Sequence, residues 1–93
     1  MMSNIISEEE QWEIVGYIEA STARKITIKT IGNEEYKLPS DIYKETDLTS
    51  SQVSKALNDL KSKSLVVCLN ESYTKGKLYK CTNLGLEILK KLK

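Results

Sequence analysis

The segment Leu48-Thr49-Ser50-Ser51-Gln52-Val53-Ser54-Lys55-Ala56-Leu57 constrains this chain more than any other. Thr49 followed three residues later by Gln52 is a capping box. The threonine hydroxyl accepts from the N3 amide, and the glutamine side chain returns to the cap amide. Leu48 and Val53 take the N′ and N4 positions of a hydrophobic staple. Val53, Ala56, Leu57 and Leu60 then recur at helical spacing and define one apolar stripe. The opposite face carries Ser50, Ser51, Ser54, Lys55, Asn58 and Lys61. These signals predict a helix over about 50–63. Ser64 should end it where glycine is the usual residue. A side chain there in left-handed backbone costs up to about 1 kcal/mol.

The chain beyond that helix reads as a hairpin. Leu65-Val66-Val67-Cys68-Leu69 predicts a strand, and residues 70–76 form a polar loop with glycine turn chemistry. Lys77-Leu78-Tyr79-Lys80-Cys81 alternates as a return strand. Thr82 caps a last helix over about 83–92, with Ile88, Leu89 and Leu92 inward. Its basic tail, Lys90, Lys91 and Lys93, suits the negative helix end.

Three helices precede the capped one. Ser7-Glu8-Glu9-Glu10 is a second capping box, opening a helix over about 8–20. Trp12, Ile14, Val15 and Ile18 share its apolar face, with Tyr17 beside them. The arc predicts a core anchored on Trp12, or a stripe partly turned to a partner subunit. Residues 23–31 are rich in Ile and Thr, which favours strand by local propensity. Their spacing and the Gly32-Asn33 stop favour helix. Ser21 or Thr22 would cap it. Pro39 suits the first position of a short helix ending near Thr46.

Composition removes several function classes. Histidine is absent, so Ser-His-Asp and Cys-His nucleophile systems and His-containing zinc sites are excluded. Two cysteines are too few for a structural zinc site or a disulfide scaffold. The four glycines are scattered and make no phosphate loop. No run of about 18 apolar residues spans a membrane. The N-terminus lacks the basic start of a signal peptide. We therefore expect no enzymatic activity and a cytoplasmic protein. Leu, Ile and Val together make 24 of 93 residues, enough for one thin core. A single domain over 1–93 is expected, with a short flexible N-terminus over 1–6.

The formal net charge of +1 hides a division along the chain. Residues 1–47 carry ten acids and five bases, and residues 48–93 carry three acids and nine bases. The basic half contains the capped helix, hairpin and tail. That asymmetry suits a polyanion partner for one half or a dipolar solvated surface.

Helix, helix, short helix, turn, capped helix, hairpin and helix together resemble the winged helix-turn-helix transcription regulators, especially small archaeal and MarR-like types. The likeness covers about Trp12 to Leu92. It is carried by Leu38-Pro39-Ser40-Asp41-Ile42, by Leu48 to Leu57, and by Leu60-Lys61 with Lys63-Ser64-Leu65-Val66. Lys75-Gly76-Lys77-Leu78-Tyr79 and Thr82-Asn83-Leu84-Gly85 complete it. The chain departs from the pattern at Leu38, where Ser or Thr often caps, and at Ser64. It departs again at Leu84, which replaces a commonly charged residue. The resemblance implies a mainly α fold with a small β-hairpin. It also favours helix for residues 23–31.

It further implies double-stranded DNA as partner, bound by a homodimer without a cofactor. A recognition helix needs a buried stripe and a small polar or basic outer face for the major groove. Ser51, Gln52, Ser54, Lys55 and Asn58 are the expected base-edge readers. Ser50, Lys44 and Lys61 are expected at phosphates. The loop over 70–77 would be the wing, with Tyr73, Lys75 and Lys77 at the backbone or minor groove. Arg24, the one arginine, lies far from this helix in sequence. Gln and Asn suit adenine, so an A·T-rich site is expected. The alternative function is a winged-helix adaptor that binds protein and not DNA. Cys68 and Cys81 share a side of the hairpin, as two buried thiols or as a disulfide.

Overall fold

The computed structural model describes residues 6–93. Residues 1–5, nearly all of the expected flexible N-terminus, lie outside the described residues. The described chain is mainly helical with one small antiparallel hairpin. Its order is α1 (Glu8–Glu19), α2 (Thr22–Ile31), α3 (Pro39–Glu45), α4 (Ser50–Ser62), β1 (Val66–Cys68), β2 (Tyr79–Cys81) and α5 (Asn83–Leu89).

Each helix begins where its cap chemistry places it. Ser7 Oγ accepts from the Glu10 amide at 3.1 Å, and Glu10 Oε1 accepts from the Ser7 amide at 3.0 Å. Ser21 caps α2, accepting from the Arg24 amide at 3.3 Å. Its β-branched content does not prevent the helix, because Thr27, Ile28 and Ile31 are buried there. Tertiary burial outweighs a propensity difference of tenths of a kcal/mol per residue. Leu38 has no capping oxygen. Its amide instead donates to Asp41 Oδ2 at 3.1 Å, and Pro39 needs no partner at N1.

The end of α4 is a complete Schellman motif. The Leu65 amide donates to the Leu60 carbonyl at 3.0 Å, and the Ser64 amide donates to Lys61 at 3.0 Å. Ser64 takes φ 60, the left-handed conformation expected at this place. Leu60 and Leu65, the apolar pair of the motif, are both buried.

The core is a single cluster. Val15 and Ile18 of α1, Ile28 and Ile31 of α2, Ile42 of α3 and Val53, Leu57 and Leu60 of α4 meet Leu65, Val66, Cys68, Tyr79, Cys81 and Ile88. The α4 helix packs against α2, α3 and β1, while α5 packs on α1, α2 and β2.

Several expectations are corrected. Trp12 does not anchor the core; it is 52% exposed, and the Lys91 ammonium lies 4.9 Å from its ring centroid. Val15 and Ile18 set the inward direction of α1, and at 3.6 residues per turn Trp12 falls on the flank. The strands are shorter than expected. Leu65 gives its amide to the helix end, leaving β1 to start at Val66. Lys77 and Leu78 precede β2 because the Leu78 amide is bound by Asn70 Oδ1 at 2.8 Å. The last helix stops at Leu89, and Leu92 continues only as a turn, its amide donating to the Leu89 carbonyl at 3.2 Å.

The hairpin register pairs Val66 with Cys81, Val67 with Lys80 and Cys68 with Tyr79. A third segment joins its edge, unanticipated from the sequence. Lys37 and Tyr79 exchange both backbone hydrogen bonds, at 2.8 and 2.9 Å. This bridge fixes the link between α2 and α3 to β2.

Candidate nucleic-acid interface

The α4 helix separates its two faces cleanly. Val53, Ala56, Leu57 and Leu60 are buried, and Ser50, Ser51, Gln52, Ser54, Lys55 and Asn58 are exposed. The exposed side is a row of hydroxyl, amide and ammonium groups on one rigid element. These are groups able to donate to and accept from base edges and phosphates. Ser50 and Ser51 stand in the first turn, where backbone amides lack intrahelical acceptors.

Gln52 occupies this row with its oxygen already used. Oε1 accepts from the Thr49 amide at 2.9 Å, and the Gln52 amide donates to Thr49 Oγ1 at 3.1 Å. A two-pronged contact to adenine would therefore break half of the capping box. Only Nε2 remains for outside contact without that cost. Ser51, Ser54 and Asn58 carry no such commitment among the described side-chain hydrogen bonds.

The lysines differ in their freedom. Lys44, on α3, is exposed. The Lys55 side chain is 76% exposed and touches Asp59 Oδ2 at 3.4 Å, one helical turn on. Lys61 is only partly exposed and forms an ion pair with Glu71 of the hairpin loop. That pairing holds the Lys61 ammonium above the usual lysine range and the Glu71 carboxyl below its own. Lys63, at the helix end, lies 5.0 Å from the Tyr17 ring centroid.

Arg24 is remote in sequence but adjacent in space. Its Nε donates to Asp59 Oδ2 at 3.2 Å, and Nη1 donates to the Tyr17 carbonyl at 2.8 Å. The guanidinium also stacks on Tyr17, 3.9 Å from the ring centroid. One side chain thus ties α1, α2 and α4 together. Burial pulls the Asp59 carboxyl upward, but hydrogen bonds and charge from Arg24 and Lys55 outweigh it. The carboxyl is held below the ordinary aspartate value.

The loop between the strands is built on Asn70. Its Oδ1 accepts from Leu78, its Nδ2 donates to the Gly76 carbonyl at 3.0 Å, and its carbonyl accepts from the Tyr73 amide at 3.0 Å. Gly76 supplies a positive φ of 66 at the far side. Tyr73 is 60% exposed on this loop; Lys75 is exposed and Lys77 half-buried.

Sequence reasoning thus found the α4 row and missed the groups that hold it. Asp59 was legible as the acid four residues after Lys55. Arg24 and Glu71 had no local signal, because their partners lie across the fold.

The thiols lie behind this surface, and Cys68 Sγ donates to Asn70 Oδ1 at 3.5 Å. Cys68 and Cys81 are both buried and free, on diagonal rather than facing register positions. Burial pushes the Cys81 thiol up to about 11, so it stays protonated near neutrality. Among the described residues, no group of His, Cys, Asp or Glu is placed to share a metal ion. Nor is any helix among the described residues long and apolar enough to cross a membrane. An open groove of about 500 Å³ lies between Asn33 and the α5 residues Asn83, Leu86 and Leu89, with no α4 residue in its wall. Comparison with family profiles, curated proteins and solved structures finds no match to this chain.

Proposed function

We propose that this chain is a winged helix-turn-helix regulator that binds double-stranded DNA in a sequence-specific way. In this reading α4 enters the major groove, and the loop over 70–77 is the wing at the backbone or minor groove. The observation that carries the reading is the division of α4. Four buried apolar side chains fix it, and its outer row contains no bulky apolar group. The bridge of Lys37 to β2 supports it, since it adds a third extended segment beside the hairpin.

Ser51, Ser54, Lys55 and Asn58 are the base-edge readers, with Gln52 reaching through Nε2. Ser50 and Lys44 hold phosphates. Tyr73, Lys75 and Lys77 act from the wing. A homodimer would read two half-sites and multiply a weak monomer contact. With Asn and Gln present and no arginine free on α4, the preferred site is A·T-rich at the contacted positions. Binding-site selection from a random duplex pool tests this. Enrichment of A·T steps supports it, and G·C-rich major-groove positions refute it.

The second reading is a protein-binding adaptor of the same fold. Val67, Leu69 and Tyr73 favour it, because all three are large, apolar and exposed on the hairpin and its loop. Salt separates the two readings. Duplex binding followed by anisotropy should weaken steeply and linearly in log salt, as counterions are released. Absence of duplex binding at low salt leaves the adaptor.

A further inference from the structure

Both lysines within α4 are held by carboxylates of this same chain. Lys55 meets Asp59 on its own helix, and Lys61 meets Glu71 across the fold. Asp59 is in turn fixed by Arg24, so it has a structural duty. Glu71 has none besides Lys61 among the described ion pairs and hydrogen bonds. It is not loosely placed, however. It sits next to Asn70, whose side chain and carbonyl bracket the whole loop.

We propose that Glu71 is an internal stand-in for a DNA phosphate on Lys61, restraining the hairpin loop against α4 until a duplex displaces it. This rests on the duplex-binding reading. A carboxylate and a phosphate oxygen offer an ammonium the same charge-assisted hydrogen bond. Both partners are partly open to solvent, so exchange needs no unfolding. The cost of displacement falls on every duplex alike. Only a site that supplies base-edge contacts in addition recovers it. Glu71 therefore lowers affinity for every duplex by the same factor and leaves discrimination to the base-edge contacts.

The test is a double-mutant cycle on the full chain. Anisotropy of a labelled random-sequence duplex is measured against salt for wild type, Glu71→Gln, Lys61→Gln and the pair together. Glu71→Gln should tighten binding up to about fivefold, the scale of an exposed ion pair. The slope of log K against log salt should stay that of wild type, because Lys61 meets the same phosphate in both complexes, whereas Lys61→Gln should flatten it by about 0.9. In the Lys61→Gln background the same substitution should gain less and leave the slope unchanged. Equal gains in both backgrounds would mean simple charge repulsion and would overturn this proposal alone. No duplex binding by wild type at low salt would overturn the duplex reading, and this proposal with it.

Discussion

The Nε of Arg24 lies 3.2 Å from Oδ2 of Asp59, joining the one arginine of the chain to the one acid on α4. Both side chains are mostly shielded, at 19% and 22% exposure. The pair does two things. It locks α4 to α2, and it neutralises a carboxylate that would otherwise repel a polyanion.

This pairing has a signed pH consequence. The folded Asp59 carboxyl titrates below its ordinary value of 3.8. Its contribution to stability is therefore present above that value and is lost as pH falls through the folded one. Asp59→Asn should flatten the acid limb of a thermal-melt series relative to wild type. Arg24→Met should lower the melting temperature at neutral pH more than Lys55→Met, because Lys55 is an exposed partner. Identical acid limbs for wild type and Asp59→Asn would count against the pairing.

Gly85 is the most tightly packed of the four glycines. An added Cβ there would collide with the Leu65 carbonyl oxygen, which already accepts from the Thr82 amide at 3.0 Å. The first turn of α5 is thereby seated on the chain leaving α4. Gly85→Ala should destabilise by about 1–3 kcal/mol through forced backbone shift. Urea denaturation would read this as a lower midpoint at unchanged m-value. A neutral result would mean that α5 is not seated so closely.

Thr27 is buried among the core residues, and its Oγ1 has no hydrogen-bond partner among the described residues. Thr27→Val keeps the shape and removes the orphaned hydroxyl. It should stabilise by about 1 kcal/mol, raising the melting temperature. A loss of stability would show that the hydroxyl is satisfied in solution.

Ser64 carries a left-handed backbone at φ 60. Ser64→Gly should stabilise by up to about 1 kcal/mol, since glycine takes this conformation without a Cβ penalty. The Ser64 carbonyl still accepts from Thr82 Oγ1 at 2.7 Å, so the substitution leaves that contact in place. Calorimetry of the two proteins gives the sign.

Local chemistry was legible in this sequence, and long-range chemistry was not. Thr49 and Gln52 announced their capping box, and Ser64 its left-handed turn, because both signals are complete within a few residues. Trp12 misled because helical spacing sets a face but not its centre. The Lys37–Tyr79 bridge joins segments far apart in the chain, and no pattern in either anticipates it. The candidate surface divides in the same way. Ser51, Ser54, Lys55 and Asn58 were readable from the stripe opposite them. That Arg24 backs Asp59 and that Glu71 takes Lys61 depend on the packing of α2 and the hairpin on α4.

If the outer row of α4 meets a duplex, charge reversal by Lys55→Glu should show it. Lys55 is 76% exposed, so charge reversal there should leave the fold intact. Anisotropy against a labelled duplex at low salt, with a thermal melt as control, gives both readouts. Wild type should bind with steep salt dependence, and Lys55→Glu should bind more than about tenfold more weakly at an unchanged melting temperature. Equal binding by the two proteins, or none by either at low salt, would contradict contact between this row and DNA.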